Sequence, residues 1–354
     1  MKRAFLPTLL VLLTALTACH KDDPITPVTP AAGRHAYVLS EGEWGNNDAE
    51  ITLLNLDSGT AVPQWFSAAN GRGLGDLAQD LVHYGGKLYC TVYEANTLEV
   101  IDPATGKSLR QISMGSRGPR YIACHGGKLY VSCYDKTVVR IDTAQLNIEA
   151  TCSLSGMQPE QLCVANGALY VCNCWQYNAQ NETEFDSTVS VVDLESFHEV
   201  RKVTVGINPG RIQPLDDGRL LVLCSGHPYR DDIPGNTAII NTADTSVSRM
   251  GTVMTNCAVH NGNVYYYTTT YDASWNPSAL FYRADGATLP GTPIITSHSG
   301  TLSHAYGINI DPSTGDIYVC NSPARVFADV YCFAPDGSER WHAEAGNFAS
   351  KVVF

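Results

Sequence analysis

Seven polar stretches of this chain each set aromatic rings or a guanidinium group among amides and carboxylates. They are residues 41–47 (Trp44, Asn46), 93–96 (Tyr93, Asn96), 134–135 (Tyr134), 175–178 (Trp175, Tyr177, Asn178), 226–231 (His227, Tyr229, Arg230), 271–276 (Tyr271, Trp275, Asn276) and 321–327 (Arg325). Flat rings beside convergent amide and guanidinium donors suit noncovalent capture of a bulky polar molecule. Short segments elsewhere add Arg117, Arg120, Gln158, Arg211, His304 and Tyr306. A Tyr directly after an apolar run, such as Tyr93 or Tyr134, also suits covering the edge of a core. Covalent chemistry is poorly provided for. Ser225-Gly226-His227 and Asp231-Asp232 are neighbours in sequence but supply no nucleophile with an oriented base, and the Asp pair reads as a solvated turn. Cys172 and Cys174 lack the second close pair that a zinc site needs. Gly71 to Gly75 lead into no P-loop lysine. The expectation is a binding protein and not an enzyme, with no catalytic residue, metal or cofactor.

What positions these stretches is a repeat. Apolar runs open at Ala36-Tyr37, Leu88-Tyr89, Leu129-Tyr130, Leu169-Tyr170, Leu220-Leu221, Val264-Tyr265 and Ile317-Tyr318, at steps of 40 to 53 residues. Units of this period cannot bury a hydrophobic face alone and must stack. Each unit reads as four short strands, the third ending in an acid or its amide, as at Asp57, Asp102, Asp142, Asp193 and Asn241. Turns at Gly85-Gly86, Gly126-Gly127, Asn166-Gly167, Asp217-Gly218 and Asn261-Gly262 punctuate the strands. No helical periodicity stands out beyond the N-terminus, and Trp65 and Trp341 fall on outer strands as packing residues. The fold class is all-β, a seven-bladed β-propeller of four-stranded antiparallel blades. The first unit starts at its second strand, so the C-terminal run Ala349 to Phe354 is expected to complete that blade and leave no open edge. In this topology the seven polar stretches join second to third strands and share one face with the between-blade loops.

The N-terminus reads separately. Lys2 and Arg3 precede an apolar stretch too short to span a membrane, ending Leu16-Thr17-Ala18-Cys19. The expected organisation is a signal peptide at 1–18, a lipidated Cys19 with a Pro-rich tether at 19–33, and one propeller at 34–354. Loss of Lys2 and Arg3 moves the formal net charge from −12 to −14, which argues against nucleic acid as a partner. Besides Cys19 there are eleven cysteines, mostly where a strand would carry Val or Ala, so they read as buried free thiols.

Leu129 to Cys133 followed by Val138 to Asp142 resembles the YVTN-type propeller repeat of exported bacterial proteins, over nearly all of residues 35–354. Leu16 to Cys19 resembles a bacterial lipobox, and the acids Asp22 and Asp23 resemble the surface-export signal of Bacteroidetes lipoproteins. Together these features are similar to the BtuG family of surface cobalamin-binding lipoproteins of gut Bacteroidetes. The resemblance implies a lipid anchor in the outer membrane facing the cell exterior, a corrinoid ligand, and a TonB-dependent transporter as partner. It implies that Trp44, Trp175, Tyr177, Tyr229, Tyr271 and Trp275 cover the ligand, while Asn46, Asn96, Asn178, Asn276, Arg230 and Arg325 pair with its polar groups. Tyr93, Tyr134 and His227 complete the expected ligand-binding set. A glycan-binding propeller, a propeller lyase or lactonase, and a protein-interaction scaffold remain as alternative readings of the residues.

Overall fold

A computed structural model describes residues 32–354 apart from Ala287 and Ser299. The signal peptide, Cys19 and all but the end of the tether lie outside the described residues. Seven four-stranded antiparallel sheets follow one another along the chain. Blade 3 shows the pattern, with Pro119–His125 innermost, then Lys128–Cys133, Thr137–Asp142 and Asn147–Ser153. Its second strand is buried on both faces, because neighbouring blades cover it from either side. Its outermost strand is mostly exposed or half-buried. The core therefore lies between blades. Tyr89, Leu98, Val100 and Ile112 of blade 2 pack on Ile122, Leu129, Val131 and Val139 of blade 3 in one apolar cluster.

The ring closes as the repeat requires. Blade 1 runs His35–Ser40, Glu50–Asn55 and Thr60–Val62, and its innermost strand is the C-terminal Ala349–Val353. Tyr37 pairs with Val353, Val38 with Val352 and Leu39 with Lys351. Phe354 packs on Tyr318 of blade 7 with ring centroids 5.1 Å apart.

Three local features depart from the sequence reading. Trp65 lies on a six-residue helix, Trp65–Asn70, rather than on an outer strand, although it is buried as expected. Six residues are too few to display a helical period, so the helix left no pattern to read. Its first turn is held by the buried Glu50 carboxylate, which accepts the Phe66 N–H at 3.0 Å and the Ser67 N–H at 3.2 Å. Blade 4 carries an extra hairpin between its second and third strands, Trp175–Tyr177 paired with Thr183–Phe185. Cys174 sits in the step to that hairpin and not on the second strand, which ends at Asn173. The eleven described cysteines are unpaired, and all but Cys124 are buried. Burial pushes the Cys163 and Cys257 thiols up to about 12, so they sit as neutral small hydrophobes.

Candidate ligand-binding face

The seven loops between second and third strands open on one face, together with the between-blade loops that feed the innermost strands. At the start of the innermost strand, six of the seven blades show a register shift. A β-bulge there re-aims a side chain. Gln79, Arg120, Glu160, Tyr306 and Ser350 stand at these bulges, and blade 5 has Gly210.

The bulge residues face the axis as a polar ring, and those of blades 2, 3 and 4 join directly across blades. Arg120 of blade 3 makes a bidentate pair with Glu160 of blade 4, Nη2 donating to Oε1 at 3.0 Å and Nε to Oε2 at 3.3 Å, and also donates to the Gln79 side-chain oxygen of blade 2. The Tyr134 hydroxyl donates to the same Glu160 carboxylate. The Arg120 guanidinium lies over the rings of Tyr134 and Tyr93, at 4.5 and 5.3 Å from their centroids. Burial opposes the charge on Arg120, but the adjacent Glu160 outweighs it and raises the guanidinium pKa further. Burial, reinforced by Glu160, pushes the Tyr134 hydroxyl far above the ordinary tyrosine range, so it stays a donor.

Tyr306 of blade 7 donates to Glu41 at 3.0 Å. Glu41, beside the channel, is reached by water but surrounded by protein, and desolvation pushes its carboxyl up to about 7 despite the Tyr306 donor and the nearby charges of Arg120 and Arg211. A carboxyl raised in the folded state keeps its proton after the unfolded chain has lost its own. Stability therefore falls as pH rises from about 4.5 and levels off above about 7. The expected loss through Glu41 is about 3 kcal/mol. Glu41→Gln should remove this step, so that the variant is more stable than the wild type above neutrality and closely matched at acid pH. Urea unfolding of both proteins across pH measures it; a difference independent of pH would refute the assignment.

The predicted site residues fall into two groups. Tyr93, Tyr134, Trp175 and Tyr177 form a chain of edge-to-face contacts across blades 2 to 4, at 5.3, 6.4 and 5.1 Å. The first three are half-buried; Tyr93 and Tyr134 cover the Arg120 guanidinium, and Trp175 packs edge-on against Tyr134. From blade 5 round to blade 1 the rings stand free. Tyr229 is 83%, Trp275 80% and Trp44 72% exposed, and Tyr271 is also exposed, as is Tyr177 at the blade 4 end of the aromatic chain. His227 sits between Phe185 and Tyr229, its Nδ1 accepting the Tyr229 N–H at 3.2 Å.

The polar members are already engaged. Arg230 pairs with Asp232 at 2.6 and 3.1 Å, and Arg325 reaches Glu43 at 3.6 Å. The Asn46 amide donates to Glu43, and the Asn276 amide to Asp272. Asn178 caps its own hairpin, accepting the Gln180 and Glu182 N–H groups. Asn96 accepts the Gly118 N–H at 2.8 Å. These groups shape loops, and a ligand would meet them with a partner in place.

Gln79, Tyr121 and Glu160 are axial residues that the sequence reading did not single out. A signal was present: Pro119-Arg120-Tyr121, Pro159-Glu160-Gln161 and Pro209-Gly210-Arg211 stand at the same repeat position. A Pro that opens a strand followed by charged or polar residues marks a rim position turned inward.

Fold and face together define a seven-bladed β-propeller with a charged axial ring and an aromatic rim. No family model and no curated protein matches the sequence. Solved structures match in fold. A chain of the mitotic checkpoint complex aligns with a TM-score of 0.53 at 11% identity, over 90% of this chain and 96% of that one. The WD40 repeats of RRP9 align with a TM-score of 0.56 at 10% identity, over 78% of this chain and 83% of that one.

Proposed function

We propose that this propeller captures a bulky polar small molecule, a corrinoid such as cobalamin, on its long-loop face. Held by a lipid on Cys19 at the outer membrane and facing the cell exterior, it passes the ligand to a TonB-dependent transporter. The observation that carries the binding role is the run of exposed rings, Trp44, Tyr177, Tyr229, Tyr271 and Trp275, on loops of four blades of one face. Large rings left in water on one face cost solvation free energy and mark an interaction surface. The rigid ring beneath supports them before the ligand arrives, which lowers the ordering cost of binding. The lipobox-like Leu16 to Cys19 and the acids after it support the anchor and the outward display. Tethering beside a transporter would raise the local ligand supply.

Calorimetric titration of residues 34–354 with cyanocobalamin tests this reading. One-to-one binding is expected, weakened at least about tenfold in Tyr229→Ala/Trp275→Ala, since buried aromatic contacts of this kind are worth about 1 kcal/mol or more each. Both residues are exposed, so the variant keeps the fold. No binding by the folded wild type would refute the corrinoid. A glycan screen would then address the other bulky polar ligand class that aromatic platforms hold.

A further inference from the structure

Three cations surround the axis, and one has no direct partner among the described residues; the acid nearest to it in the channel is Glu41. Arg120 is paired with Glu160, and Lys351 with Asp80 at 2.6 Å. Arg211, on the innermost strand of blade 5, has no hydrogen-bond or ion-pair partner among the described residues. Its guanidinium carries a fixed charge and five donors that no protein acceptor among the described residues occupies, in a channel an anion can enter.

The space beside it is open for a structural reason. Blade 5 places Gly210 where other blades place Gln79, Arg120, Glu160, Tyr306 or Ser350. A Cβ added at Gly210 would meet nothing within 4 Å, and its φ lies outside the left-handed region, so backbone conformation does not demand glycine. Gly210 and Arg211 line a hollow of about 170 Å³ with Arg120, Glu160, Ser225 and Thr255. That volume holds one small polar group. Within this lining the Arg120–Glu160 pair cancels internally and Arg211 adds one positive charge, while Glu41, which faces Arg211 across the channel, keeps its proton up to about pH 7.

We propose that this hollow is a binding site for a singly charged oxyanion group, a carboxylate or a phosphodiester, held by Arg211 in the gap that Gly210 leaves. The Ser225 and Thr255 hydroxyls are the neighbouring donors that a bound oxygen would meet. The site stands independently of what the aromatic rim holds, since small anions alone should occupy it.

The test uses acetate and dimethyl phosphate as probes, with ligand-observed NMR relaxation at constant ionic strength on the folded propeller. Binding of either probe is expected, and the probe that binds more tightly identifies the class of group. Arg211→Met should weaken it about tenfold to a hundredfold, the loss expected for a hydrogen-bonded charge. Gly210→Val fills the hollow while keeping the guanidinium in the chain and should abolish binding, which keeps the test decisive should Arg211→Met fail to fold. Arg219→Ala, at the turn on the opposite face, should bind as the wild type does. Absence of binding by both probes, or equal binding by the wild type and Gly210→Val, would overturn the proposal.

Discussion

A chain ending at Phe348 is expected to lose the folded ring and to aggregate. Residues 349–354 supply the innermost strand of blade 1, and their contacts reach three blades. Ala349, Val352 and Val353 are buried, and Val352 donates its N–H to Asn309 of blade 7 at 2.9 Å. Lys351 pairs with Asp80 of blade 2 at 2.6 Å, and Ser322 donates to the Ala349 carbonyl at 2.6 Å. Burial of Val352, Val353 and Phe354 alone is worth about 5 kcal/mol, taking about 1.5 to 3 kcal/mol for each side chain. Domains of this kind are stable by only about 5 to 15 kcal/mol in total. The deletion also bares the edge of His35–Ser40, a buried apolar strand that would then template association. Circular dichroism and light scattering on the truncated chain check this. A peptide spanning 345–354 added in trans should rescue part of the signal. A soluble truncated protein with a wild-type melting temperature would show that the closure carries no stability.

The same closure explains what was legible in the sequence. Second strands are covered by neighbours on both faces, so they read as unbroken apolar runs such as Leu169 to Cys172, and their spacing counts the blades. The missing first strand and the spare last one follow from that count. The loop face was legible because connections between second and third strands must emerge together. The axial ring was not. Its members meet only when seven distant segments converge: Arg120 and Glu160 are 40 residues apart, and Tyr306 and Glu41 are 265 apart. Local pattern carries no pairing information over such distances. For the same reason the sequence did not distinguish Tyr134, packed over Arg120, from Tyr229, free in solvent. Both are tyrosines in polar loops, and only the neighbouring blade decides.

Glu160→Ala should be the most damaging single substitution on the binding face, costing about 3 to 5 kcal/mol, because it strands the Arg120 charge inside the ring. Both partners are largely buried, at 14% and 9% side-chain exposure, so water cannot replace the carboxylate cheaply. The Tyr134 hydroxyl loses its acceptor in the same step. Gln79 remains as the only neutral acceptor on the guanidinium among the described residues. The pair itself is a different matter from the penalty of breaking it. Desolvation of two charges offsets most of their attraction, so Arg120→Met/Glu160→Leu should recover all but about 1 to 2 kcal/mol. The apolar pair would still sit beneath Tyr93 and Tyr134, whose rings now cover the guanidinium face. Urea unfolding of the wild type, both single variants and the double variant closes the cycle. A coupling energy below about 0.5 kcal/mol would mean that the two charges are solvated independently, and the axial ring would then be a rim of separate polar groups.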